Sequence, residues 1–149
     1  MNHRSIYEKI EEFGGCLQIK TSGTPDFEGG LLDILPRIED VEADLSECKE
    51  MLREITKEQC RLLLTTGFRR GLAYSSYTYM LLSEAKAFAN ELLSSLSDEA
   101  CFYTHSSIPD SEEGVACGWS GRITGATFEL CIYVVSNNGC TMFLITDED

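Results

Sequence analysis

Histidine is scarce in this 149-residue chain, where only His3 and His105 are available as bases near neutral pH. Cys101 and His105 lie four apart in Cys-Phe-Tyr-Thr-His. In a strand that spacing places them about 13 Å apart, too far for a thiol–imidazole pair. Gly-x-Ser-x-Gly, a phosphate-cradling Gly-rich loop ending in Lys-Ser/Thr, and His-Glu-x-x-His are all missing. An enzyme is not suggested, and no cofactor is implied. The seven cysteines are odd in number and contain no Cys-x-x-Cys pair, so zinc ribbons and thioredoxin-like motifs have no support. Cys60 and Cys131 fall among apolar residues and read as small buried thiols of a reducing compartment. No run approaches the roughly 18 apolar residues of a membrane span, and Met1 to Glu12 lacks an apolar signal core. The expected location is the cytoplasm, with no membrane partner.

Basic residues are also few in the second half. Residues 76–149 hold eleven Asp or Glu against Lys86 and Arg122, a formal charge of −9 out of −13 for the whole chain. Nucleic acid is disfavoured as a partner, because binding it takes cations that displace condensed counterions. Such acidity serves solubility, or it meets a basic protein surface. Apolar residues make up 43% of the sequence, which is enough to build a core. We expect one domain over residues 1–149, with a helical part at 1–98 and a sheet part at 99–149.

The helical part is read from apolar spacing. Ile6, Ile10 and Phe13 predict a short amphipathic helix over residues 3–13, and the glycine-rich stretch 14–35 predicts a loop with a brief strand at Cys16–Ile19. Pro36 suits a first helical turn, and Ile38, Val41, Leu45, Cys48, Leu52 and Ile55 follow at steps of three and four. This is the clearest helix signal in the chain. Glu39, Asp40, Glu42, Asp44, Glu47, Glu50 and Glu54 would form its solvated face. Thr56 with Gln59 is a capping box that opens a second helix. Tyr77, Leu81, Ala85, Phe88, Leu92 and Leu96 mark a third long one.

From residue 101 the chain reads as strands, at Cys101–Thr104, Val115–Trp119, Thr127–Ser136 and Cys140–Thr146. Trp119 is expected in the core. The fold class is therefore α+β, with about four helices packed on an antiparallel sheet of about four strands. Asn138-Gly139 is a two-residue hairpin signal that sets Asn137 opposite Cys140 and Ile132 opposite Ile145. Both faces of that hairpin are apolar, so it should be central and covered by helices on at least one side.

Carried outward, this register puts Glu129 opposite Glu148, a like-charge pair that costs up to about 1 kcal/mol. Two readings follow: the ladder frays before residue 146, or the hairpin end presents a carboxylate cluster to a cationic partner. The candidate contacts are Glu129, Asp147, Glu148 and Asp149, with Asp110, Glu112 and Glu113 as weaker ones. Asp110-Ser111-Glu112-Glu113-Gly114 lacks the alternating oxygen ligands of a Ca²⁺ loop, and no metal site is expected.

Ala126-Thr127-Phe128-Glu129, the apolar hairpin and the ending Thr146-Asp147-Glu148-Asp149 resemble the C-terminal end of small bacterial immunity proteins of contact-dependent inhibition and related polymorphic toxin systems. The resemblance covers about 25 residues. It implies a stoichiometric inhibitor of a cognate basic toxin domain, often a nuclease, that acts inside the producing cell. The alternative from another class is a small acidic secretion chaperone or adaptor, which would hold an extended segment in apolar grooves.

Overall fold

Strands that are apolar on both faces need cover on two sides, and the fold is built around that requirement. The computed structural model describes residues 16–69, 80–96, 98–112 and 119–147. Five strands, β1 (Cys16–Ser22), β2 (Arg53–Ile55), β3 (Cys101–Thr104), β4 (Phe128–Ser136) and β5 (Gly139–Asp147), form one antiparallel sheet in the order β1-β5-β4-β3-β2. The β4–β5 hairpin is central, as its composition requires. The described helices are α1 (Phe27–Ile34), α2 (Leu45–Met51), α3 (Lys57–Arg69) and α4 (Leu82–Ser94).

Each sheet face carries its own core. Leu63, Leu64 and Phe68 of α3 and Ala85, Ala89 and Leu93 of α4 cover Leu130, Ile132, Val134 and Ile145. On the other face Leu31, Ile34 and Cys48 from α1 and α2 cover Cys131, Tyr133, Met142 and Leu144. The mixed α+β class holds, with five strands in the sheet. The sheet does not begin at residue 99: β1 and β2, from the first part of the chain, form its two edges.

The predicted loop at 14–35 contains both β1 and α1. Asp26 starts α1 by accepting from Gly29 N at 2.8 Å, a cap strong enough to open a helix with two glycines in it. The single helix predicted from Pro36 to Ile55 is instead a 3-10 turn (Leu35–Arg37), an irregular stretch, α2 and β2. Asp40 has φ 59°, and the N–H groups of Glu42 and Ala43 go to Ile123 O rather than into a helical ladder. Asp44 and Glu47 then form a capping box that restarts the helix at Leu45. Tertiary hydrogen bonds override the local periodicity there.

The capping box read at Thr56 is present, with Gln59 N donating to Thr56 Oγ1 at 3.0 Å and Thr56 N to Gln59 Oε1 at 2.9 Å. Replacing Thr56 with alanine should therefore cost about 1 kcal/mol. A denaturant midpoint that moves while its slope stays constant would show it; an unmoved midpoint would mean that water satisfies these groups equally well. Trp119 lies in the core, 3% exposed, and its Nε1 donates to Ser107 O. The expected helix at 3–13, the first residues of the third helix and the strand at 115–118 lie outside the described residues.

The hairpin register differs from the sequence expectation by two. Asn137 and Asn138 form the turn, Ser136 pairs with Gly139, and Ile132 faces Phe143. Ser136 Oγ accepts from Asn138 N and donates to Gly139 O, which closes the turn one residue earlier. Gly139 becomes a strand residue at φ 131°, with Ser22 O of β1 lying where a Cβ would project. A shift of two keeps every side chain on its face and changes every cross-strand partner. Glu129 now faces Thr146, so the predicted pairing with Glu148 does not occur.

Candidate functional site

Phe128-Glu129-Leu130 places a carboxylate between apolar residues at the start of β4, and alternation turns Glu129 toward the face that carries Cys131 and Tyr133. Its side chain is 0% exposed. Such burial demands partners, and five donors converge on it. His105 Nε2 lies 2.5 Å from Oε2, and the backbone N–H groups of Arg122 and Ile123 reach the same oxygen at 3.3 and 3.1 Å. Thr124 gives both its N–H and its hydroxyl to Oε1 at 2.8 Å. Three successive N–H groups cradling one carboxylate form an anion nest filled from within the chain.

Glu129 is therefore not a surface contact, which corrects the strongest expectation from the sequence. The compensation that seemed missing is internal, supplied by a loop and a histidine remote in sequence. Burial raises the carboxyl pKa, but the hydrogen bond and charge of His105 and the bonds from Ile123 and Thr124 outweigh it and leave the value lowered. His105 is turned inward with a side chain 1% exposed, so its partner is Glu129 and not Cys101.

Residues 120–127 are gripped on a second side as well. Val41 bridges Thr124, Ile123 O accepts from Glu42 N and Ala43 N, and Gly125 N donates to Asp40 O at 3.1 Å. Gln18 of β1 pins the facing segment through reciprocal side-chain bonds with the backbone of Glu39. Between these walls lies a cleft of about 650 Å³ at the end of the sheet, lined by Cys16, Gln18, residues 39–42, residues 124–126, Thr146 and Asp147. Glu39, Asp40, Glu42 and Asp147 are among its lining residues, and among the described residues no Lys or Arg lines it.

Among the described expected contacts, Asp147 alone borders this cleft, where it is 5% exposed and has the strand parity of the face under α3 and α4. Glu113, Glu148 and Asp149 lie outside the described residues. Asp110 is exposed, and Glu112 pairs with Lys86 of α4 at 3.1 Å, on the opposite side of the sheet. The structure does not bring these two to the hairpin end. Glu39, Asp40 and Glu42 were assigned to an ordinary solvated helix face; no local signal marks them, because the break in that helix is what delivers them to the cleft.

Cys60 and Cys131 are buried as expected, as are Cys48 and Cys140, and the described cysteines form no disulfide with one another. Burial pushes Cys60 up to about 12, and burial with the nearby charges of Asp44, Glu47 and Glu129 pushes Cys48 up to about 11. Both stay protonated near neutral pH, which removes them as nucleophiles. Among the described residues no group of three or more His, Cys, Asp or Glu side chains is placed to hold a metal ion, and no helix is long and apolar enough to cross a membrane. No family model, curated protein or solved structure matches the chain.

Proposed function

We propose that this chain is an immunity-type inhibitor that binds a basic toxin domain, such as a nuclease, through the acidic cleft, working in the reducing cytoplasm. The observation that carries the reading is the lining itself: three exposed acidic residues, Glu39, Asp40 and Glu42, along one cavity whose described lining includes no Lys or Arg. Like charges held together in partly excluded solvent create a focused negative potential, which a cationic surface relieves on docking. Glu148 and Asp149 follow Asp147 directly and add to the negative charge near that end of the chain. The acidic lining favours a folded cationic partner over the extended apolar segment that a secretion chaperone would hold. No residue of the inhibitor needs to do covalent chemistry.

A cognate basic toxin domain is expected to copurify with this chain at moderate salt and to lose its activity. The cleft is tested by Glu39→Gln, Asp40→Asn and Glu42→Gln together, all at exposed positions. Asparagine is suited to position 40 because it accepts a positive φ. The association rate should fall by roughly tenfold at low salt and become less salt-dependent, with thermal stability unchanged. Unaltered association and salt slope would exclude the cleft from the interface.

A further inference from the structure

One wall of the cleft is tied to β4 through a single buried titratable group. Residues 122–124 hand three N–H groups and a hydroxyl to Glu129, and Glu129 N returns a bond to Trp119 O at 3.0 Å. Within 120–127, Ile123 and Thr124 are the fully packed residues, so the hold on this loop is chiefly polar. The sheet has an independent hold: β4 and β5 pair along nine positions, with a hydrophobic core on each face. The two parts of the molecule therefore respond differently to loss of the carboxylate charge.

We infer that Glu129 is an acid-operated latch: protonating it releases residues 122–124 from β4 and loosens one wall of the acidic cleft, which keeps only its bonds to residues 40–43, while the five-stranded sheet stays folded. A carboxylic acid has a proton of its own to place and accepts less strongly, so the nest and His105 lose their common acceptor. The groups facing the latch are His105 beyond β3, Cys48 on α2 and Cys131 on β4 itself; Asp147, one residue along β5, has the parity of the opposite sheet face. Arg122 takes part through its backbone and exposes its side chain. Burial keeps the two thiols neutral over the acid range, so they do not compete as switches.

The sign follows from the carboxyl pKa, which is lowered in the folded state from an ordinary value of 4.5. Its contribution is complete above the ordinary value and is lost as pH falls through the lowered one. Any effect on a basic partner rests on the function proposed above, whereas the latch itself is read in the free protein.

Trp119 is the only tryptophan and lies at the start of the loop, so its emission reports on the latch. As pH is lowered from about 7 to about 3, the emission should shift to the red. Amide protection at Ile123 and Thr124 should disappear with it, at a higher pH than the far-UV circular dichroism and the β4 and β5 amides. Thr124→Val removes one hydroxyl donor and should raise the loop midpoint by about one pH unit. Thr124→Ser keeps the hydroxyl and should retain the original midpoint. Loss of loop and sheet signals in a single transition, or a valine variant with an unmoved midpoint, would overturn the latch.

Discussion

Replacing Glu129 with alanine is expected to lower the free energy of unfolding by about 3–5 kcal/mol at neutral pH, the range for removing one partner of a buried charged network. The side chain is fully buried, so solvent cannot take over its role at the surface. Alanine strands the N–H groups of Ile123 and Thr124 and leaves the His105 imidazole, itself 1% exposed, without its acceptor. Each unsatisfied buried polar group costs about 1–3 kcal/mol, and the vacated volume adds to that. Glutamine preserves volume and one acceptor oxygen, so Glu129→Gln should lie between wild type and alanine. Chemical denaturation of the three proteins checks the order. An alanine variant within about 1 kcal/mol of wild type would show that the nest is satisfied by water and that Glu129 does not organise the loop.

Gly30→Ala is expected to destabilise the protein by roughly 1–2 kcal/mol, although alanine is the better helix former. In an exposed helix the exchange gains about 0.5–1 kcal/mol. At position 30 a Cβ would project into Tyr133 Oη and the Sγ and Cβ of Cys140, closer than real Cβ atoms approach. Neither neighbour is free to move. Tyr133 Oη donates to Phe27 O at 2.8 Å, and its ring meets Phe27 edge-on, while Cys140 Sγ donates toward Thr24 O and Asp26 O. Overpacking of about 1–3 kcal/mol therefore exceeds the helical gain. Chemical denaturation checks it: a Gly30→Ala variant as stable as wild type would mean that α1 is not packed on the sheet as tightly as these distances require.

Local signals were reliable where local interactions decide the outcome. The Thr56–Gln59 box opens α3 because both of its bonds close within one turn of chain. The strands at 128–136 and 139–147 follow from side chains that are apolar at both parities, which no other buried arrangement of that length suits so well. The register went astray by two because Asn-Gly chemistry marks a turn but does not say whether glycine occupies the turn or the first strand position. Packing of Ser22 O against Gly139 decides that, and it comes from a strand more than a hundred residues earlier.

The candidate site was far less legible. Glu129 stood out correctly as an anomaly in an apolar strand, yet its meaning inverted: the oddity marks a buried structural nest and not an exposed contact. His105 was legible only as an isolated histidine, because its partner lies 24 residues away. The acidic residues at 39, 40 and 42 looked like one face of a continuous helix, as their spacing permits.

By itself the sequence determined the mixed fold class, the central apolar hairpin, the capped helix after Thr56 and a surplus of negative charge. These rest on period, propensity and composition, which act between neighbours along the chain. Only the tertiary structure decided where that charge is concentrated. Ile123 O takes the N–H groups that a helix through residues 42 and 43 would have used, the chain breaks there, and Glu39, Asp40 and Glu42 come to line the cleft. The physical reason is a competition between a local hydrogen-bond ladder and a distant carbonyl, which pattern along the chain cannot resolve.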